Sequence, residues 1–215
     1  MEYVIGISDD EAVSLLELGD DFKDEVKDVL REFKSVVKPE GSYMIYDSFQ
    51  LQDNLFVVDD VEFHCGTKIV KALTGSECIA VVVATVGSGV DSLIKKYNGV
   101  YDFLKAYWCD KLSNWVLDKL MTYLINDIRD EAKERGMQVT SNWGPGYCGW
   151  NIKEQKNLLS LCDASCLGIT LSSSMIMNPV KSISGVVGIG HNVVFKKSGC
   201  SDCNLHKCAY RSLKW

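Results

Sequence analysis

The stretch "SNWGPGYCGW", residues 141–150, concentrates unusual residue types more strongly than any other part of the chain. It contains three glycines, one of the chain's three prolines, three aromatic residues and a cysteine. Gly144 and Gly146 allow a close approach of the backbone to a neighbour, and Pro145 stiffens the turn between them. Tyr147 and Trp150 offer flat faces on which a planar ligand can stack. By itself the stretch fits either a packed turn or a ligand-binding loop.

The bulk composition is that of a globular protein with an acidic surface. The 215 residues are 47% hydrophobic and 24% charged, and the formal net charge is −6. These fractions are ordinary for a folded chain long enough to bury a substantial core. A nucleic-acid-binding protein needs a basic face, and no dense run of lysine and arginine supplies one. We therefore expect no nucleic-acid partner.

The sequence predicts a cytoplasmic protein without membrane contact. The first residues, "MEYVIGISDDEAVSLL", lack the basic region and apolar run of a secretory signal. The most apolar segment, "CIAVVVATVG" at 78–87, is too short to span a bilayer. The nine cysteines are an odd number, and in this compartment they are more typical of reduced thiols or metal ligands than of disulfides.

Local patterns predict one α+β domain. Ser8 and Glu11 form a capping-box pair before a short helix, and further helices are expected near 20–37, 68–73 and 101–135. The segments "YMIYDSF", "LFVVDDVEF", "CIAVVVAT", "GITLS" and "SISGVVGIG" are typical of strands, and "KEQKNLLSLC" of a short amphipathic helix. Within this single domain, spanning 1–215, residues 1–40 form an N-terminal helical segment and 196–215 a cysteine-rich tail.

A second glycine-rich stretch, "ATVGSGVDSL" at 84–93, has the strand–glycine–helix order of a phosphate loop. It lacks the complete dinucleotide fingerprint and the Lys-Ser/Thr pair of a nucleotide loop. We expect its glycines to shape a turn from a strand into a helix. No Ser–His–Asp grouping or paired carboxylates indicate a conventional acid–base active site.

The tail "CSDCNLHKCAYR" predicts a metal site. Cys200, Cys203 and Cys208 follow a C-x2-C-x4-C pattern, which brings three soft ligands together. Zinc or an iron–sulfur cluster requires a fourth ligand, for which we name Cys148 first. The other candidates for that position are His206, Cys162 and Cys166. The alternative is a tail of unligated thiols.

Two segments taken together resemble a known family. "GPGY" at 144–147 follows a long helix and precedes "LSSSMIMNPVKSISG" at 171–185. The pair resembles the activation (S-adenosylmethionine-binding) domain of cobalamin-dependent methionine synthase. That family's loop reads Arg-Pro-Ala-Pro-Gly-Tyr, and its later stretch has the spacing Leu-x2-Ser-x2-Met-x-Pro-x2-Ser-x-Ser-Gly. Without a gap, the matching residues are Leu171, Ser174, Met177, Pro179, Ser182, Ser184 and Gly185.

The resemblance covers the chain from about residue 50 to its end and is closest to stand-alone relatives with a cysteine-rich tail. It implies an α+β fold built on a twisted antiparallel sheet flanked by helices. It also implies an S-adenosylmethionine groove in which Asn142, Gly144, Gly146 and Tyr147 hold the ligand. In the family this domain docks on a cobalamin module whose inactive cob(II)alamin is reduced and remethylated, so the implied partner is a corrinoid protein.

Three positions depart from the family pattern. Asn142 stands where the family has an arginine that pairs with the methionine carboxylate, and a neutral amide cannot form that charged, bidentate contact. Its loss costs on the order of a few kcal/mol, tens to hundreds-fold in affinity. Val187 stands where the family has a tyrosine that lines the ligand pocket. Ser113 falls near the position in the long helix where the family has an acidic residue. The substitutions predict weakened binding of S-adenosylmethionine.

Three functions follow as alternatives. The first is an accessory protein that docks on a corrinoid protein and supports its reductive reactivation and methylation in a methyltransferase system. The second is an iron–sulfur or zinc-binding electron-transfer protein on the same fold, with the tail cysteines as ligands. The third is a structural or regulatory subunit that has lost the ligand site.

Overall fold

The computed structural model describes residues 1–195, and the cysteine-rich tail 196–215 lies outside that range. Short 3-10 turns at Asp20–Phe22 and Ile152–Glu154 precede two of the helices. The helices are α1 Asp9–Leu16, α2 Lys23–Val36, α3 Thr67–Leu73, α4 Ser88–Gly99, α5 Phe103–Glu134 and α6 Gln155–Ser160. The strands are β1 Glu40–Tyr46, β2 Phe49–Leu51, β3 Phe56–Val58, β4 Val61–Phe63, β5 Cys78–Thr85, β6 Gln138–Val139, β7 Thr170–Leu171, β8 Met177–Asn178 and β9 Ser182–Gly190.

The strands form three sheets. The main sheet has the order β1-β5-β9-β6, and a smaller one has the order β2-β3-β4. β7 and β8 form a two-stranded pair. β6 pairs with β9 in antiparallel register, as do β2 with β3 and β3 with β4. The predicted fold class, an α+β protein with an antiparallel sheet flanked by helices, is confirmed.

The chain divides into two compact units. Within the described residues, the first comprises 1–42, 83–124 and 163–183, and the second comprises 43–82, 125–162 and 184–195. The prediction of a single domain over 1–215 stays a prediction.

The first unit has a core of aliphatic and aromatic side chains supplied mainly by helices. α2 shows why: Val26, Val29, Leu30 and Phe33 recur at helical spacing and are all buried. Their polar neighbours on α2 face solvent, where Asp28 pairs with Arg31. The core continues through residues of α1, α4 and the first half of α5.

The second unit has a core centred on aromatic rings. Phe56 and Phe63 stack with centroids 4.8 Å apart, and Trp150 meets them edge-on at 5.4 and 5.8 Å. Trp143 and the apolar side chains of α3 and α6 complete this cluster. Such offset and edge-to-face arrangements are the favoured geometries of aromatic pairs.

Most local predictions are confirmed. α5 runs unbroken for 32 residues, and Gly136 follows it with a φ of +72°. Ser8 and Glu11 form the capping box expected at α1. The prediction for "LFVVDDVEF" was wrong in one respect, because the segment is a hairpin of two strands. Asp59 and Asp60 adopt left-handed conformations at its tip, which a two-residue hairpin turn requires.

Candidate functional site

The loop 141–150 is two interlocked turns whose backbone groups bond to one another. The amide of Gly146 donates to the carbonyl of Trp150 at 2.8 Å, and the amide of Trp150 donates to the carbonyl of Tyr147 at 2.8 Å. The amide of Tyr147 donates to the carbonyl of Gly144 at 3.1 Å. Gly146 has a φ of +92°, which favours glycine. The amides of Gly146 and Tyr147 therefore hold the loop's own shape.

One side of the loop lies against β9. Trp143 and Val186 exchange backbone hydrogen bonds of 2.9 and 2.7 Å. A Cβ on Gly144 would stand 2.5 Å from the carbonyl oxygen of Ser184, which is too close for any side chain. Below this contact, the buried side chain of Gln155 donates to the hydroxyl of Ser184. Gly144 thus serves the packing of the loop on the strand.

Asn142 and Trp143 carry two buried polar atoms without a hydrogen-bond partner. These are the side-chain oxygen of Asn142 and the indole nitrogen of Trp143. The side-chain oxygen of Asn142 lies against Gly185, and a Cβ added to Gly185 would stand 2.2 Å from this oxygen. Unpaired buried polar atoms cost free energy, so their presence beside the loop is typical of a site that is completed by something else.

The other side of the loop faces solvent. Tyr147 is 54% exposed and Ile152 is 42% exposed. The terminal methyl of Ile152 lies 3.6 Å from the position of a Cβ on Gly146, so its side chain sits over the bare backbone there. Tyr147 and Ile152 thus flank Gly146 with apolar surface, and Cys148 is partly buried beside them.

The second matched segment, 171–185, is fixed at its central turn within the first unit. The hydroxyl of Ser182 donates to the Pro179 carbonyl at 2.8 Å and lies within hydrogen-bonding distance of the Thr85 hydroxyl, at 2.9 Å. The amide of Val180 donates to the carboxylate of Asp91 at 2.8 Å. The contacts of its hydroxyl give Ser182 a structural role at that position of the pattern.

A charged cluster in the first unit also holds this turn. The ammonium group of Lys181 lies 2.6 Å from a carboxylate oxygen of Asp110 and 2.8 Å from the amide oxygen of Asn114. The amide nitrogen of Asn114 in turn donates to Asp110 at 3.2 Å. Lys181 is 14% exposed, so its charge is largely withdrawn from water and paired.

Two of the three positions that depart from the family pattern are buried. Ser113 lies within α5, where its hydroxyl donates to the carbonyl of Cys109. Val187 is fully buried in β9. Neither residue offers a polar group to a ligand in the present structure.

The predicted metal ligands are not brought together in the part of the chain that the structure describes. Cys148 lies in the loop, whereas Cys200, Cys203 and Cys208 fall outside the described residues. Within residues 1–195, no group of three or more histidine, cysteine, aspartate or glutamate side chains is arranged to hold a metal ion. The metal or iron–sulfur site therefore stays a prediction.

The cysteines of the two cores are chemically quiet. Burial raises the pKa of Cys65 to about 12 and, in the first unit, that of Cys109 to about 12. A thiol with such a pKa remains protonated at neutral pH and is a poor nucleophile or ligand. Neither residue is a candidate for the chemistry of the site.

Sequence reasoning missed Glu154, which joins three pieces of the second unit. Its carboxylate accepts the indole N–H of Trp150 at 2.7 Å and the backbone N–H of His64 at 3.1 Å. Trp150 lies outside any helix, so helical spacing did not indicate the first contact although the two residues are four apart. His64 is 90 residues away, and nothing in the sequence indicated the second.

Comparison with solved structures finds a similar fold. The chain is similar to the crystal structure of the MetH reactivation domain bound to AdoHcy, with a TM-score of 0.60 and 14% sequence identity. The match covers 90% of this chain and 72% of that chain. No protein-family profile matches the sequence. No curated protein matches it either.

This similarity confirms the resemblance drawn from the two motifs. At 14% identity it establishes the fold, and function has to be argued from the site. Within residues 1–195, no helix combines the length and the apolar composition needed to cross a membrane.

Proposed function

We propose that this protein binds an adenosyl ligand of the S-adenosylmethionine type at the loop 141–150 and docks on a corrinoid protein to support its reductive reactivation. The observation that carries the proposal is the coincidence of fold and loop. The similar solved structure has AdoHcy bound, and the GPGY residues form a rigid loop with one exposed face.

The loop suits a planar, partly apolar ligand better than a catalytic role. Tyr147 offers an exposed ring for stacking, and Ile152 adds an exposed aliphatic side chain close to Gly146. In this proposal the role of the chain at the loop is binding, and the chemistry is assigned to the corrinoid partner.

Asn142 sets the strength expected of that binding. Its oxygen is buried against Gly185, and its neutral amide cannot pair with a ligand carboxylate as an arginine would. The adenosyl part of the ligand then provides most of the affinity. We expect weak binding of S-adenosylhomocysteine and S-adenosylmethionine by the natural protein.

Calorimetric titration of the purified protein with S-adenosylhomocysteine tests this proposal. Asn142→Arg is expected to tighten binding by about 10- to 100-fold, because it restores the charged fork to the carboxylate. 5′-Methylthioadenosine, which lacks the carboxylate, serves as the matched ligand and should not respond to the substitution. Equal tight binding of S-adenosylhomocysteine to both proteins would show that Asn142 does not face the carboxylate.

The corrinoid partner is tested separately. A cob(II)alamin-loaded corrinoid protein should change its visible absorption on mixing with this chain, because docking would change the surroundings of the corrin. Tyr147→Ala and Ile152→Ala should leave this change intact if ligand binding and docking use different surfaces. Absence of any spectral change or co-elution with corrinoid proteins, whether methylated or oxidised, would overturn the docking role.

A further inference from the structure

We infer that Glu154 is the positioning residue of the adenosyl-ligand loop, acting through Trp150. The inference rests on the proposed function for the identity of the ligand. It rests on the structure for the mechanism. Two of the three backbone hydrogen bonds within the loop are made by Trp150, the residue whose side chain Glu154 holds.

Trp150 closes the loop with both of its backbone groups. Its carbonyl accepts from the amide of Gly146, and its amide donates to the carbonyl of Tyr147, each at 2.8 Å. A displacement of Trp150 therefore releases both ends of the segment that carries the exposed ring of Tyr147. The geometry of the ligand face depends on where Trp150 is fixed.

The side chain of Trp150 is fixed by packing against aromatic rings and by one hydrogen bond. The indole ring is 1% exposed and lies edge-on to Phe56 and Phe63. Packing holds the plane of the ring, and the 2.7 Å hydrogen bond to Glu154 holds its nitrogen. Without that acceptor the buried indole N–H would be unpaired, at a substantial cost.

Only a carboxylate has an acceptor oxygen for each of the two N–H groups that meet at Glu154. One oxygen accepts the indole N–H of Trp150, and the other accepts the backbone N–H of His64 at 3.1 Å. Both partners are donors and donate only. A glutamine has one acceptor oxygen, so its amide nitrogen would oppose one of the two donors.

A double-mutant cycle measured by calorimetry with S-adenosylhomocysteine tests the inference. We expect Glu154→Ala to weaken binding by 10- to 100-fold and Glu154→Gln by about 5- to 10-fold. In a Trp150→Phe background the indole donor is gone, so Glu154→Gln should change affinity by less than twofold. Lys153→Ala, an exposed neighbour in the same turn, is the matched control and should bind as the natural protein does.

This coupling separates positioning from general stability. A purely structural role for Glu154 would give the same loss of affinity from Glu154→Gln in both backgrounds. That result, or unchanged binding by Glu154→Ala, would overturn the inference.

A second measurement does not depend on the ligand. In Glu154→Ala, hydrogen exchange at the amides of Gly146 and Trp150 should speed up by at least tenfold, while the buried amides of β5 keep their natural rates. If the natural protein binds no adenosyl compound, the proposed function fails, and the exchange rates still decide the inference. Unchanged exchange at Gly146 and Trp150 would overturn it.

Discussion

The two glycine-rich turns of this chain look alike in sequence and differ in the structure. In the first unit, Gly87 and Gly89 are enclosed: added Cβ atoms would stand 3.2 Å from the side chain of Lys38 and 2.6 Å from the carbonyl oxygen of Val36. In the second unit, Gly146 and the rest of the GPGY turn have only one packed side.

The difference teaches how a glycine's role can be assigned. Gly87 and Gly89 allow α4 to pack closely against the end of α2, and the amide of Gly87 is bonded to the hydroxyl of Thr85 at 3.1 Å. Gly144 serves the same purpose against β9, whereas Gly146 and Gly149 are exposed. Exposed glycines that are fixed by a buried neighbour leave backbone accessible to a ligand.

The largest expected effect comes from substituting Trp150, the residue that fixes the GPGY turn. Trp150→Ala should lower the free energy of unfolding by about 3–5 kcal/mol, because it leaves a cavity beside the stacked rings of Phe56 and Phe63. Chemical denaturation measures the loss. Tyr147→Ala, in the same turn but exposed, should stay within about 0.5 kcal/mol of the natural protein. Similar losses from both would mean that the turn has no exposed face.

Alanine substitutions at the enclosed glycines of the two turns should destabilise the protein to a similar degree. Gly89→Ala and Gly144→Ala each place a methyl group within 2.6 Å of a carbonyl oxygen, so each should destabilise the protein by about 1–3 kcal/mol. Gly99→Ala is the control, since its Cβ would meet nothing within 4 Å. Thermal or chemical unfolding of the three variants checks the pattern. A stable Gly144→Ala variant would show that the loop does not rest on β9 as described.

The two left-handed glycines should separate stability from binding. Gly87→Ala and Gly146→Ala both force alanine into a positive φ, which costs roughly 1–3 kcal/mol. Only Gly146→Ala should also weaken the binding of S-adenosylhomocysteine, because its methyl group would lie at the exposed side of the loop, 3.6 Å from the terminal methyl of Ile152. Unfolding and calorimetry on the same samples make the test. Equal effects of the two substitutions on ligand affinity would contradict the assignment of the GPGY turn as the ligand-binding surface.

The smallest expected effect is a difference between the rates at which the cysteine thiols are alkylated. Burial raises the pKa of Cys65 to about 12, so it remains a protonated thiol throughout pH 7–9 and should resist alkylation. Its rate should rise about tenfold per pH unit as the thiolate fraction grows. Among the cysteines of residues 1–195, Cys166 is exposed and should react first, followed by the partly buried Cys148 and Cys162. Peptide mapping after brief iodoacetamide treatment of the folded protein detects the order, and rapid labelling of Cys65 would contradict the burial of the aromatic core.

Much of the fold was predictable because its elements are encoded locally. α5, β5 and the capping box at Ser8 rest on periodicity and caps that lie within one short window. The hairpin at Asp59 was missed because two apolar strands joined by two acidic residues have nearly the composition of one strand. The division into two cores depends on which apolar faces meet, and a local pattern does not carry that information.

The site was predictable as a stretch of residues but not as an arrangement. The GPGY motif and the segment 171–185 predict Asn142, Gly144, Gly146 and Tyr147 as ligand-binding residues, and that assignment stays a prediction. The motif gave no means of telling which glycine packs and which is exposed. The tail cysteines remain a sequence prediction.

By itself the sequence determined the helices and strands and, through two spaced motifs, the fold and the loop that distinguishes it. The tertiary structure alone decided that Trp150 closes that loop and that Glu154 holds Trp150. The physical reason is distance along the chain: the second donor to Glu154 is the amide of His64, 90 residues away. Hydrogen bonds of that kind form only once the core has brought their partners together.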